Sequence, residues 1–219
     1  MSKSTIALLA LVGLLVSLPA GAQSLISRYV AGDDYKVADT PAPRAKRDHG
    51  KVRVTEFFLY SCPHCYHFEP ELNAWRKQHP DVAFSRVPVL FGPGSQPYAR
   101  LYYTEVALGV VDRLHDQIFD AIHQNGRPLT SEGQMRRFMV AHGVDGRRFD
   151  KVYNSQAVED DVQGIIARMR RYPVTAVPSI SVAGRYWTSG QVAGSNPRML
   201  KVADYLIDRV RAAGADDGG

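Results

Sequence analysis

The chain has 219 residues, a net charge of +5, 45% hydrophobic and 10% aromatic residues, and only two cysteines. This is the composition of an ordinary globular protein, and it excludes disordered, fibrous and disulfide-rich classes. The basic excess is spread along the chain, with no Lys/Arg block and no aromatic-basic stripe, so nucleic acid is excluded as a partner.

At the start, Lys3 precedes an apolar run at 6–18 and then Pro19-Ala20-Gly21-Ala22. A basic first segment, an apolar stretch of 13 residues and a small-x-small end mark a secretory signal peptide, 1–22. A membrane span would need about 20 apolar residues. Cleavage after Ala22 leaves 197 residues (219 minus 22) and a net charge of about +4, because Lys3 is removed. Export places the mature chain where disulfides can form and persist.

Segment 23–50 is polar, with Pro41, Pro43 and a charged cluster at 44–49, and predicts an extended lead-in with one short strand at 35–37. Residues 51–60 alternate and are rich in Val, Thr, Phe and Tyr, the pattern of a buried strand. That strand runs straight into Cys62-Pro63-His64-Cys65. Pro63 suits the first turn of a helix, and Tyr66, Phe68, Leu72 and Trp75 carry the helix to about Gln78, with a kink expected at Pro70. A strand at 82–90 completes a strand–helix–strand unit.

Helices are predicted next at 98–109, 112–123, 131–142, 147–154 and 155–171, one of them opened by a Ser131/Gln134 capping box. Their apolar positions, Leu101, Val106, Leu114, Ile118, Met135, Phe138, Ile165 and Met169, are expected core. Strands at 177–182 and 185–188 flank an Ala183-Gly184 turn. Asn196-Pro197 then opens a helix through Val210, with Met199, Val202, Leu206 and Val210 on one face, and the tail 214–219 is expected to be mobile. The element order predicts an α/β domain split by a helical insertion.

Two cysteines three positions apart make a poor staple, since so small a loop stabilises a fold by only about 2 kcal/mol. Chemistry is the better reason for the pair. A thiol attacks a disulfide only as thiolate, and an unperturbed cysteine near pKa 8.5 is about 3% ionised at pH 7. At a helix N-terminus the dipole adds about 0.3 to 2 kcal/mol in favour of the anion. Pro63 stiffens the first turn, and His64 can place an imidazolium or an N–H beside the sulfur. Cys62 is thus the attacking sulfur, and Cys65, one turn deeper, resolves the mixed disulfide. A stabilised thiolate favours the reduced pair, which makes the disulfide more oxidising by about 30 mV per pKa unit. Haem attachment would need His directly after the second cysteine, where Tyr66 stands. Zinc on Cys62, His64 and Cys65 would lack a ligand from a second element, so no metal and no cofactor beyond the Cys62-Cys65 disulfide is expected.

With Phe57-Phe58-Leu59-Tyr60-Ser61 before the motif, Tyr66-x-Phe68-Glu69 after it and Val177-Pro178 downstream, the chain resembles the DsbA family of periplasmic thiol-disulfide oxidases. The resemblance spans almost all of the mature chain. It implies an α/β, thioredoxin-like fold with an inserted all-helical domain: thioredoxin-like parts at 23–91 and 172–219, and the insertion at 92–171. It implies a cis Val177-Pro178 bond facing the cysteines, with the Val177 backbone pairing with an extended substrate chain. Glu56 and Glu69 match acidic positions near the family's disulfide, in a proton-relay or electrostatic-tuning role; the family usually has Lys near Arg86.

The family's lowered cysteine pKa and oxidising pair carry over by the same resemblance. So do a monomeric state, newly exported cysteine-containing proteins as substrates, and an inner-membrane quinone-linked reoxidase of the DsbB type as partner. A periplasmic reductase or isomerase, a glutathione-linked enzyme and a metal-binding protein are the alternatives. His67, His115, His123 and His142 read as helix-surface or satisfied histidines, and Trp75 and Trp187 as packing residues.

Overall fold

The computed structural model describes residues 28–38, 50–171 and 174–216, so the expected signal peptide, most of the lead-in and the end of the tail lie outside the described residues. Strand β1 (Lys36–Val37) is followed by β2 (Val52–Phe58), α1 (Pro63–Gln78) and β3 (Val82–Pro88). After a short 3-10 turn at Pro93–Ser95 come α2 (Gln96–Leu108), α3 (Val111–His123), α4 (Glu132–Ala141), α5 (Gly146–Tyr153) and α6 (Gln156–Arg171). The chain then returns through β4 (Ser179–Val182), β5 (Tyr186–Ser189), α7 (Gly190–Ala193) and α8 (Asn196–Asp216).

The five strands form one sheet in the order β1-β5-β4-β2-β3. β2 and β3 are parallel, as a crossover through α1 requires, and the β4–β5 hairpin pairs antiparallel with β2. Ala183 (φ 54°) and Gly184 (φ 65°) turn that hairpin with two consecutive positive φ values, the backbone twist that suits a tight antiparallel turn. Two registers position side chains near the cysteines: Glu56 stands opposite Arg86 on β3, and Phe57 stands opposite Ser179 on β4.

Local chemistry explains most boundaries. Ser131 accepts the Gln134 N–H while the Gln134 side chain accepts the Ser131 N–H, a complete capping box at α4. α2 stops at Gly109, which takes a left-handed φ of 70°. α1 runs past Pro70 to Gln78 although Pro70 cannot donate to the Tyr66 carbonyl.

The structure differs from the sequence expectation at three places. α7 was not expected; Ser189 caps it by accepting the Val192 N–H. α8 continues to Asp216, six residues beyond Val210, so part of the expected mobile tail is helical. Val106 is 48% exposed and not core, because the buried face of α2 runs through Leu101, Glu105 and Leu108 and leaves Val106 on the outer side.

Two apolar clusters fill the interior. One joins β2, β4 and β5 to α1 and α8 through Val54, Phe68, Leu72, Ile180, Met199, Val202 and Leu206. The other joins α2 to α6 to the end of β2 and the turn after it, through Phe58, Tyr60, Cys65, Leu101, Leu114, Ile118 and Phe119. The cysteine motif sits where α1 starts, at the edge of this second cluster.

Candidate active site

Cys62 occupies the N-cap of α1 with an extended backbone (φ −87°, ψ 116°), and Pro63 takes the first helical position. Its N–H donates to the Leu59 carbonyl at 3.0 Å, which fixes the turn between β2 and the helix. Both cysteines are free thiols; Cys62 is part-exposed and Cys65 fully buried. The Cys62 thiol is drawn down from 9.0 to about 6. The largest cause is a hydrogen bond from the Cys65 thiol; burial opposes it, and the backbone N–H groups of Cys65 and His64 and finally the His64 charge add to it. Burial pushes the Cys65 thiol far the other way, helped by Cys62 and by the charge of Glu56. One sulfur is therefore an accessible anion near neutrality while the other holds its proton.

The pairing of β4 with β2 brings Ser179, and so the preceding Val177-Pro178, to the end of β2 that leads into Cys62. The Val177–Pro178 peptide bond is cis, as the resemblance implies. The Cys62 Sγ lies 3.8 Å from the Val177 carbonyl oxygen.

Beneath the cysteines lies a group of buried ionisable side chains drawn from five segments. Arg86 Nε donates to Glu56 Oε2 at 2.8 Å, and its Nη2 donates to Glu69 Oε2 at 2.7 Å. Burial alone would lower the Arg86 pKa, but Glu56 and Glu69 hold it charged. One cation cannot neutralise two buried carboxylates, and burial together with mutual repulsion raises Glu56 to about 8. Glu56 Oε1 is buried and has no hydrogen-bond partner among the described residues, so a proton fits there. Burial raises Glu69 as well, to about 7, against the pull of Arg86. We take Glu56 as the carboxyl that stays protonated, because its burial is complete.

On the other side of Glu69, its Oε1 lies 3.2 Å from His115 Nε2. His115 Nδ1 lies 2.7 Å from the Tyr60 hydroxyl, which meets the two Glu105 oxygens at 2.8 and 3.0 Å. The rings of Phe58, Tyr60 and Phe119 stand 5.1 to 5.2 Å from His115, and Tyr60 stands 5.1 Å from Phe58 and 5.0 Å from Phe119. Burial first, and Arg86 second, hold this imidazole neutral.

Among known proteins, residues 92–206 match the family model described as the DSBA-like thioredoxin domain. The thiol:disulfide interchange protein DsbA of Azotobacter vinelandii is 40% identical over 183 residues, covering 83% of this chain and 85% of that protein. The chain belongs to the DsbA family. The DsbA of Burkholderia cepacia is 36% identical over 191 residues, or 87% of this chain and 90% of that one. A crystal structure of Pseudomonas aeruginosa DsbA superposes with a TM-score of 0.80 at 37% identity, covering 85% of this chain and 97% of that one. The fold is accordingly DsbA-like, a thioredoxin fold with helical insertion, and the activity class is thiol-disulfide oxidoreductase.

Of the residues singled out in the sequence, Cys62, Pro63, His64 and Cys65 share the first turn of α1, and Val177 and Pro178 lie across from them. Glu56 and Glu69 are brought together on Arg86. Among the described residues, no group of three or more His, Cys, Asp or Glu is placed to hold a metal ion. Sequence reasoning missed Tyr60, Glu105 and His115 as one connected group. His123, read as a helix-surface or satisfied histidine, is satisfied: its Nε2 lies 2.8 Å from the Tyr60 carbonyl and its ring stacks on Tyr66 at 5.0 Å.

Proposed function

We propose that this DsbA-family chain is a dithiol oxidase of the bacterial periplasm, exported by a signal peptide at 1–22 and acting as a monomer. The observation that carries this reading is the asymmetry of the two sulfurs: Cys62 drawn down to about 6 and Cys65 pushed up.

The chemistry follows from it. A thiolate of a newly exported protein attacks Cys62 Sγ of the disulfide; the new S–S bond is a mixed disulfide, and Cys65 leaves as a thiolate. A leaving sulfur with a raised pKa needs a proton, and the protonated Glu56 beneath it is the donor. The second substrate thiolate then attacks the substrate sulfur, and Cys62 leaves readily because its own pKa is low. The substrate gains a disulfide, and the two electrons stay on the Cys62/Cys65 pair.

Val177, beside Cys62 across the cis bond to Pro178, offers backbone groups to an extended substrate. Glu69 and Arg86 tune the charge around Glu56. Reoxidation falls to an inner-membrane, quinone-linked partner of the DsbB type, and no metal or organic cofactor takes part.

At pH 7, a thiol with pKa near 6 instead of 9.0 is stabilised about tenfold as thiolate, worth about 30 mV in a two-electron couple before water around the part-exposed sulfur trims it. The decisive measurement is the reduction potential of Cys62/Cys65 by equilibration with glutathione buffers, read by Trp fluorescence. A value well above the glutathione range is expected. A value near that of thioredoxin would overturn the oxidase in favour of a reductase.

A further inference from the structure

Cys62 is delivered to the start of α1 by a tight turn, Leu59 to Cys62, closed by the bond from the Cys62 N–H to the Leu59 carbonyl at 3.0 Å. The weak point of such a turn is its central peptide, here the one between Tyr60 and Ser61. That peptide can turn over with the closing bond intact, which reverses the Tyr60 carbonyl and needs a positive φ at Ser61. Among the described non-glycine residues, positive φ is found only at Leu129 and Ala183, so the Tyr60–Ser61 peptide stands the other way.

The helical insertion holds it there. His123, the last residue of α3, places its Nε2 2.8 Å from the Tyr60 carbonyl oxygen. A carbonyl only accepts, so Nε2 carries the hydrogen, as it does in both the Nε2–H tautomer and the imidazolium. Glu105 and His115 hold the Tyr60 hydroxyl, at the far end of its side chain, and do not touch this peptide. The His123 ring also stacks on Tyr66, with centroids 5.0 Å apart and planes 15° apart. Tyr66 in turn donates its N–H to the Cys62 carbonyl at 3.1 Å and its hydroxyl to Asp120 Oδ1 at 3.0 Å. One imidazole thus grips the chain on both sides of Cys62, through Tyr60 before it and Tyr66 after it.

We propose that His123 is a positioning residue for thiol-disulfide exchange, its Nε2–H locking the Tyr60–Ser61 peptide and so fixing where the Cys62 sulfur stands. The inference deepens the proposed function and rests on its reading of Cys62 as the sulfur that exchanges with substrate. Cys62 takes φ −87° and ψ 116° at the N-cap. That backbone sets its sulfur beside the Cys65 thiol and the N–H groups of Cys65 and His64, the bonds that draw its pKa down, and 3.8 Å from the Val177 carbonyl oxygen. A turn free to flip lets Cys62 leave that conformation, and the bonds to its sulfur weaken together. The leading causes of the low Cys62 value do not include the His123 charge, so His123 acts through the turn and not through its field. It touches no reacting atom.

Substitutions that separate the donor from the ring test this in the mature protein. His123→Gln keeps an N–H at about the reach of Nε2 and loses the ring. His123→Phe keeps a ring on Tyr66 and loses the donor, and His123→Asn carries an amide that stops short of the carbonyl. Two quantities are read: the midpoint of Cys62 thiolate absorbance against pH, and the rate of disulfide transfer to a dithiol peptide. The Gln variant should stay close to the wild-type midpoint near 6. The Phe and Asn variants should titrate about one unit higher, the effect of one lost hydrogen bond to an anion, and transfer roughly tenfold to a hundredfold more slowly. If the Phe variant does not fold, Asn against Gln makes the same comparison. A packing role for the ring predicts the reverse order, Phe close to wild type and Gln impaired; that order, or a single midpoint shared by wild type and all variants, overturns the proposal. A wild-type reduction potential near that of thioredoxin with the variants in the expected order would sink the oxidase and leave the clamp standing; an oxidising wild type with the reverse order would do the opposite.

Discussion

The two halves of the interior are built to different ends. The cluster between the sheet and α8 is built from Val54, Phe68, Leu72, Ile180, Val202, Leu206 and others of their kind, with the carboxylate of Asp34, bonded to Arg198 of α8, next to its Tyr35. Where α1, β2 and β3 meet the helical insertion, by contrast, Glu56, Glu69, Arg86, Glu105 and His115 are all buried. Only Asp34, of the buried Asp, Glu, Arg and His residues described, lies elsewhere. The first half stabilises the fold by removing apolar surface from water, and the second gives up stability to hold protons next to two sulfurs. Sites that break a local packing rule at a cost are where function is expected.

Breaking the apolar half should have the largest effect. Leu206 is fully buried on α8, and Leu206→Ala is expected to lower stability by about 2 to 5 kcal/mol through lost transfer energy and a residual cavity. The loss should be the same at pH 5 and pH 8, since the cluster it belongs to is built of apolar and aromatic side chains, and the reduction potential should not move. Urea unfolding at the two pH values checks this; a pH-dependent loss would show the two halves to be coupled.

The ionisable half should answer with the opposite sign. Glu56 has a folded pKa near 8 against an ordinary 4.5, so its neutral form is the one the fold accommodates. Its contribution is fully present below pH 4.5 and lost as the pH rises through about 8. Glu56→Gln keeps the neutral shape and removes the titration. It should match wild type below pH 4.5 and be more stable by about 4 kcal/mol at pH 8, while its Cys65 release slows. A variant less stable than wild type at pH 8 would mean that Glu56 is the ionised partner of Arg86 and Glu69 the proton holder.

The apolar half was also the legible half. Alternating Val, Thr and Phe in β2, the Cys-Pro-His-Cys turn into α1, and the Met199/Val202/Leu206/Val210 stripe of α8 each report on themselves through local periodicity. The acid group does not, because Tyr60 lies 45 residues from Glu105 and 55 from His115, and only the docking of α2 and α3 on the end of β2 joins them. A signal was nonetheless present. Glu105 falls on the stripe Tyr98, Leu101, Tyr102, Leu108, and His115 on the stripe Leu114, Ile118, Phe119, so each is a polar residue at a position the helix buries. Glu56 stands out in β2 in the same way. What periodicity cannot supply is the partner, and for a buried ionisable group the partner decides its protonation.

At the boundary of the two halves the cysteines themselves give the smallest shifts. The folded Cys62 pKa lies below its ordinary 9.0, so in the dithiol form its contribution to stability is present above pH 9 and fades as the pH falls through about 6. Thiolate absorbance against pH should show a midpoint near 6. The Cys65 thiol is the leading cause of that low value and the His64 charge the last, and the His64 side chain is exposed, where water screens its field. His64→Ala should therefore raise the midpoint by less than about one unit, whereas Cys65→Ala, which removes the hydrogen-bond donor, should raise it further. The reverse order would make the imidazolium the main hold on the thiolate. The oxidising character of the pair would then be written in an exposed residue and not in the buried sulfur behind it.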